Sequence, residues 1–564
     1  MTSAHNPAPS STRGVKLKRH VGPIGLLFAA IGSIIGSGWL FGAYNASIIA
    51  GPVAIFSWLI AGLMIMLIGL CYAELGPMFP ISGGVIRFPH FAWGSFASYS
   101  LGFITWIATA AVPAIEVEGT LTYATRYAPL TTRETANGVT VHVLTPLGIV
   151  VAVILLALFV VLNYFGVRLF AQINNVLVWW KLFVIILVIV VFLITAFATV
   201  NMGTTANFTS HGFAPNGWAA VFTCISTAGI TFSYLGFRQG IELAGETTNP
   251  KRNIPLAIIG SIGITAIIYA LLQIAFTMAI PGGVLAKSGS WAGLVFTNDA
   301  GPLAALATLG GLAWLAYILY FDAIISPLDT GFIYTTIGAR VSYAMGRNGN
   351  SPRFLSVNNK HGVPHWSLLV TFVVGVILLL PFPSWQQLVG FITSATVLSF
   401  GSGPIVVALM RRQFPNRHRP FKLPGGDLIP WLAFYSANMI IFWAGWDTNY
   451  KLFITILIGY VALVIFELTG KLRKPALDFK VGAAWVIPYL VAMTLFSWLM
   501  DPNTHPALFG WAFLVNIVIT GGIFILAVRV HLPKAQMEAY MADSEGESED
   551  DALEQSHLAG DAII

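Results

Sequence analysis

The stretch Ile31-Gly-Ser-Ile-Ile-Gly-Ser-Gly-Trp-Leu-Phe41 lies inside an apolar run from about Val21 to Ile49. A run of that length can cross a bilayer, which takes roughly 20 apolar residues. Its glycines, Gly32, Gly36 and Gly38, work against a single clean helix, because each costs about 1 kcal/mol relative to alanine inside one. A helix broken at mid-membrane leaves amides with no intrahelical partner. Such backbone survives at that depth only where it is buried in protein or lines a cavity. Amides at the start of the second half-helix carry the positive end of its dipole and suit a carboxylate. Ser33, Gly36, Ser37 and Gly38 are therefore candidate substrate-binding residues. The same glycines also fit close helix packing through the pairs Gly32/Gly36 and Gly38/Gly42, and this stretch alone leaves both readings open.

Composition fixes the class. Of the 564 residues, 56% are hydrophobic and 9% charged, whereas a soluble domain carries about 25% charged residues. The expected fold is an all-α polytopic membrane protein whose first partner is the lipid bilayer. The net charge of +6 then reflects loop charges that set orientation, and no nucleic-acid partner is expected. Residues 1–20 are polar, and the apolar segment that follows is too long for a signal peptide. Cys71 and Cys224 fall in apolar spans, so neither a disulfide framework nor a metal site is expected. The eleven histidines are assigned to tails and loops, and no HExxH, CxxC or GxSxG motif occurs. No catalytic residue is assigned, and an enzyme is not expected.

Apolar windows of spanning length recur about fourteen times, centred near residues 35, 63, 106, 156, 187, 231, 267, 318, 374, 398, 436, 460, 491 and 519. With the N-terminus in the cytoplasm, 23 Lys and Arg residues fall on the inner side and only Arg126, Arg133, Lys287 and Lys451 on the outer. The excess of positive charge inside supports the count and predicts cytoplasmic N- and C-termini. The absence of an organelle signal points to a plasma membrane.

Two basic residues remain, Lys181 and Arg238, and both lie within spans. Lys181 sits roughly 12–16 Å in from the cytoplasmic start of the fifth span, at about 1.5 Å per residue, too deep to snorkel easily. A proton relay or a fixed countercharge is expected of it. The sixth span repeats the pattern of the first through Ser226-Thr-Ala-Gly-Ile-Thr-Phe-Ser-Tyr-Leu-Gly-Phe-Arg-Gln-Gly240. Its outer half is expected to end with carbonyls around Thr231 to Tyr234 that suit an ammonium group. Two interrupted helices in corresponding positions are the sequence pointer to an inverted-repeat transporter. Arg238 either pairs with Glu242 one turn on or reads a substrate's second carboxylate.

Charge partners for these two are sought among Glu116 and Glu118 of the third span, Glu242, and Asp322 and Asp329 of the eighth. Intramembrane carboxylates are costly unless paired or facing water. Glu74, at the inner end of the second span, reads as an interfacial structural carboxylate. Thr393, Ser394 and Thr396 in the tenth span fit either a cavity or packing. The last four spans carry few polar residues and are assigned no chemistry. Residues 543–551 read as an acidic, disordered tail.

These motifs resemble the amino acid permease branch of the amino acid–polyamine–organocation superfamily. The resemblance rests on Gly-Ser-Ile-Ile-Gly-Ser-Gly in span one and Tyr-Ala-Glu-Leu with Pro-Ile-Ser-Gly-Gly at the end of span two. Phe-Ser-Tyr-Leu-Gly-Phe, then Glu-Thr-Thr-Asn-Pro-Lys-Arg-Asn-Ile-Pro255, and Ala-Arg-Val-Ser-Tyr-Ala-Met-Gly-Arg-Asn-Gly349 complete the set, which covers roughly residues 20–410. The resemblance implies a five-plus-five inverted repeat with discontinuous helices one and six. Ser37 and Gly38 would face the substrate carboxylate, Phe232 would sit at an aromatic gate, and the backbone of Ser233 and Leu235 would receive the ammonium. Lys181 matches the span-five lysine that stands in place of a sodium ion in proton-coupled and some exchanging members. Where members commonly carry Gly-Phe-Glu, this chain has Gly236-Phe-Arg238, a reversal of sign that favours an acidic substrate. The nearest subgroup resembles aspartate–proton symporters.

The expected division is a cytoplasmic tail at 1–20, a first repeat at 21–200, a second at 201–424, four extra spans at 425–530 and a tail at 531–564. The expected function is proton-coupled symport of aspartate or glutamate by alternating access, with no cofactor beyond the coupling proton. The alternatives are an exchanger or a carrier of neutral amino acids, and more remotely a non-transporting nutrient sensor.

Overall fold

The computed structural model describes residues 21–81, 83–136, 139–165, 168–198, 204–296, 300–382, 384–472, 478–479 and 481–543, with backbone alone at 135–136, 139–140 and 168–175. The N-terminal tail and the acidic run beyond residue 543 lie outside these. The first span is two helices, α1 (Pro23–Ile34) and α2 (Gly38–Ala50), followed by α3 (Ala54–Met78) and α4 (Gly84–Ala124). A hairpin of β1 (Thr131–Ala136) and antiparallel β2 (Val139–Leu144) leads to α5 (Pro146–Tyr164) and α6 (Arg168–Ala198). The sixth span is α7 (Ala219–Thr227), a 3-10 segment (Phe232–Arg238) and α8 (Gln239–Glu242). Then come α9 (Pro250–Ala279), α10 (Gly282–Ser288), α11 (Pro302–Leu309), α12 (Ala313–Arg347), α13 (His365–Leu378), α14 (Trp385–Phe400) and α15 (Ser402–Gln413). The C-terminal set is α16 (Leu428–Trp443), α17 (Trp446–Leu468), α18 (Val486–Leu499) and α19 (Phe509–Arg529).

Among the described residues, 9 helices are long and apolar enough to cross a membrane, and 10 if the bent pair in the sixth span is one crossing. Each of the fourteen expected centres falls on a helix or on the break within a broken one. The length test is missed by Pro23–Ile34, His365–Leu378, Leu428–Trp443 and Val486–Leu499.

Burial sorts the helices by depth in the bundle. The apolar window of α4 is 89% buried and that of α14 with α15 is 100% buried, against 28% for α5 and 22% for α17. So α4 and α14 form the interior, and α5 and α17 turn side chains such as Ile154, Leu158, Leu457 and Val461 outward. Lipid tails are as apolar as a protein core, so these exposed faces carry no penalty in a bilayer.

The 41 residues of α4 would reach about 60 Å as one straight helix, twice the hydrocarbon thickness. Gly94 divides it with φ 80° and ψ −161°, a conformation that glycine adopts without steric cost. A Cβ there would also strike the Asp478 carboxylate, which accepts the Ser95 amide at 3.3 Å. His90, expected in a loop, sits in the short helical piece before this kink and faces the Tyr540 ring.

The C-terminal helices are not a detached appendage. The α16 helix packs on α3, α7 and α14, and Ser226 donates to the Ile440 carbonyl at 2.6 Å. Their few polar residues pair with one another: Tyr489 donates to Asn438 Oδ1 at 2.7 Å, Asn438 Nδ2 to Thr520 at 3.0 Å and Thr520 to Asn516 at 3.0 Å. Near the end of α3 Glu74 accepts Arg411 Nε at 2.9 Å, Arg411 Nη2 at 2.5 Å and the Leu423 amide at 2.8 Å. That fits the structural role expected of it.

Candidate substrate site at two helix breaks

The α1 helix ends at Ile34, and Ile35 leaves the helical region with φ −87° and ψ 87°. The α2 helix starts at Gly38, so the three residues between them form the break. A broken helix exposes carbonyls at one end and amides at the other, with opposite partial charges. Neighbouring helices meet both ends with side chains of the matching sign.

On the carbonyl side stands Lys181 of α6. Its Nζ donates to the Gly32 carbonyl at 3.1 Å and to Thr330 Oγ1 at 2.9 Å, and pairs with Asp329 Oδ2 at 2.6 Å. Thr330 in turn donates to the Ile35 carbonyl at 3.2 Å. On the amide side stands Glu116 of α4, whose Oε2 accepts the Ser37 amide at 2.7 Å. Its other oxygen, Oε1, is buried without a hydrogen-bond partner among the described residues.

The acidic residues thus separate by role. Asp329, not Asp322, pairs with Lys181; Asp322 accepts from Ser326 one turn away at 2.6 Å. Glu118 lies two residues from Glu116, which places it about 200° around the helix. It is buried with neither oxygen hydrogen-bonded among the described residues. Glu242 pairs with Arg238 at 3.3 Å in the i,i+4 arrangement, and the guanidinium lies over the Phe400 ring, 5.6 Å from its centroid. The local pair weighed for Arg238 is therefore the one formed.

The second break lies a few residues earlier than the sequence suggests. The α7 helix ends at Thr227, and the chain bends by 53° before Phe232. Gly229 takes φ 86°, and the Thr231 amide reaches back to the Ile225 carbonyl at 3.0 Å. Of Thr231 to Tyr234, expected to end the outer half, Thr231 caps the 3-10 segment and the other three are its first residues. The shift has a local cause. Gly229 is the residue that can take positive φ cheaply, and a Cβ on it would meet the Trp385 ring.

Glycines also let the two broken helices touch. A Cβ on Gly38 would strike Ser233 Oγ and the Phe232 ring, and one on Gly236 would strike the backbone of Ser33 and Ile34. A Cβ on Gly36 would strike the Glu116 carboxylate. Ser33 donates to the Ala29 carbonyl at 3.0 Å within its own helix, and Ser233 to Gly229 at 2.8 Å. Leu235 lies buried in the 3-10 segment.

An aromatic cluster joins the breaks. Trp385, at the start of α14, donates its indole N–H to Ser37 Oγ at 2.8 Å. Its ring lies 4.8 Å from Phe41 and meets Phe232 edge-on at 6.2 Å. Phe41 contacts Tyr123 at 5.4 Å, and the Tyr123 hydroxyl donates to the Leu40 carbonyl at 3.2 Å. Sequence reasoning missed Trp385, because one tryptophan beginning an apolar helix carries no mark of its partner 348 residues away. It also missed Thr330. Thr393 and Ser394 are buried with hydroxyls unpartnered among the described residues.

Two broken apolar helices that touch through glycines, the first with its carbonyl end met by Lys181 and its amide end by Glu116, mark a multi-pass membrane protein. The family model for amino acid permeases matches residues 21–469, and the chain belongs to that family, within the amino acid–polyamine–organocation superfamily. It is similar to the glutamate/serine transporter AimA of Bacillus subtilis (strain 168), 34% identical over 519 residues, 91% of this chain and 94% of that one. It is 36% identical over 476 residues to an aspartate-proton symporter of the same organism, covering 84% and 89%. The branched-chain amino acid permease BcaP, also from Bacillus subtilis, matches at 27% over 472 residues, 81% and 95% of the two chains. The protein is an amino acid transporter.

Proposed function

We propose that this transporter carries aspartate or glutamate inward together with a proton, by alternating access in the plasma membrane, with both termini cytoplasmic. The observation that carries the reading is the Lys181 ammonium bound at the first break by Gly32, Thr330 and Asp329. A cation built into the chain occupies the carbonyl end of the broken helix, which leaves a sodium ion little to bind there and makes the proton the natural coupling ion. The two breaks serve as the substrate cradle, with amides near Ser37 and Gly38 for the α-carboxylate and backbone near Phe232, Ser233 and Leu235 for the ammonium. Five-plus-five repeats, at 21–200 and 201–424, give the rocking unit, with 425–530 as added spans. The acidic substrate is supported by the names of two relatives, a glutamate/serine transporter and an aspartate-proton symporter, and by the cations Lys181 and Arg238.

A second reading, transport of neutral amino acids, is favoured by one observation. Arg238 is already engaged by Glu242 and stacked on Phe400, so a substrate carboxylate must compete for it. Labelled aspartate and serine uptake into proteoliposomes with an imposed pH gradient tests both. Aspartate accumulation driven by an acidic exterior is the expected result. Uptake that needs amino acid on the far side would instead identify an exchanger, and serine uptake without aspartate uptake a neutral carrier.

A further inference from the structure

The amides freed at the first break are the expected anchor for a substrate carboxylate, yet a carboxylate of the protein already holds one. Glu116 Oε2 sits 2.7 Å from the Ser37 nitrogen, within the range of a charge-assisted hydrogen bond. The residue is 0% exposed, and its Oε1 has no partner among the described residues. A Cβ on Gly36 would strike the carboxylate, so the glycine makes room for it.

We infer that Glu116 is a resident stand-in for the substrate carboxylate and carries the coupled proton: it must be protonated to yield the Ser37 amide to the incoming amino acid. This rests on the proton-coupled reading above. The physical reason is charge exclusion. Two carboxylates sharing one buried site cannot both stay ionised, so an arriving carboxylate is accommodated when Glu116 takes up a proton. The proton comes from the side open to solvent and binds a Glu116 carboxylate oxygen; no other bond forms or breaks. A neutral Glu116 no longer competes as an anion for the dipole of α2. When the substrate leaves, the bare amide draws back the carboxylate form, and the proton departs on that side.

Lys181 is the other candidate for this task, and its geometry argues for a fixed charge. Lys181 donates to Gly32 and Thr330 and forms an ion pair with Asp329. The titratable groups that act on Glu116 are Lys181 of α6, Asp329 and Tyr334 of α12 and Tyr269 of α9. The Lys181–Asp329 pair is closed at 2.6 Å, and Tyr269 donates to the Ile34 carbonyl at 3.4 Å. Glu116 alone among these acids combines a bond to the break with an oxygen left over.

The test measures binding and proton uptake on purified full-length protein, using L-aspartate and L-serine as probes. Calorimetry in buffers of different ionisation enthalpy gives the protons taken up per probe bound. Wild type should take up one proton per amino acid, and its affinity should strengthen by about tenfold per pH unit of acidification, levelling off once Glu116 is protonated in the free protein. Glu116→Gln should bind with a flat pH profile and no proton uptake, and Glu116→Asp should keep the slope. Wild type that binds without taking up a proton, or Glu116→Gln that still takes one up, overturns the inference. Proton uptake on binding by a wild type that fails to accumulate substrate down a pH gradient would overturn the symport reading and leave the role of Glu116 standing.

Discussion

Glu116 Oε2 and the Ser37 amide nitrogen are 2.7 Å apart, so α4 supplies a carboxyl oxygen to the N-terminus of α2 from 79 residues away. Lys181 does the converse at the C-terminus of α1, reaching Gly32 across 149 residues. The two ends of the broken helix are thus met by side chains from two different helices.

The Lys181–Asp329 pair, fully buried at 2.6 Å, should couple strongly. Removing one partner leaves the other charge uncompensated, at a cost of about 3–5 kcal/mol. Lys181→Met and Asp329→Leu should each lower the unfolding midpoint in detergent sharply. The double variant should recover most of the loss while losing transport. Additive losses in the double-variant cycle would mean that the pair is not coupled.

Glycine contacts should rank by what a new methyl group strikes. On Gly236 it meets the backbone of Ser33 and Ile34, and on Gly38 the Ser233 hydroxyl, which can rotate away. Overpacking costs about 1–3 kcal/mol, so Gly236→Ala should reach the top of that range and Gly38→Ala the bottom. Thermal unfolding in detergent checks the order, and a reversed order would show that helix six yields more easily than the Ser233 rotamer.

Arg238 and Glu242, 3.3 Å apart and buried, allow a charge swap. Arg238→Glu alone sets two carboxylates one helical turn apart and should destabilise the protein. Adding Glu242→Arg should restore folding but not aspartate uptake, while serine uptake should survive. Aspartate affinity unchanged in the swapped protein would remove Arg238 from side-chain recognition.

Trp385→Phe removes the indole donor to Ser37 Oγ and keeps an aromatic ring near Phe41. The expected loss is about 0.5–1.5 kcal/mol, the net worth of a typical hydrogen bond. Trp385→Ala empties the cluster and should cost about 3–5 kcal/mol. Equal effects of the two changes would mean that the indole N–H, not the ring packing, holds the cluster together.

Much of this protein can be read along the chain. Hydrophobic length, basic residues sorted by side, and clustered glycine with serine or threonine depend on local composition, and they gave the membrane class, the two broken spans and the in-span lysine. Those are properties of a segment in its solvent, so a single sequence contains them. Which carboxylate meets which cation is another matter. Asp322 and Asp329 share a helix and a composition, yet only Asp329 reaches Lys181, and Glu116 and Glu118 differ only in the direction they leave α4. The second break falls at Gly229, where a Cβ would meet the ring of Trp385 on a distant helix. Partner choice rests on angles and close approaches between helices far apart in the chain, and packing the bundle is what sets them.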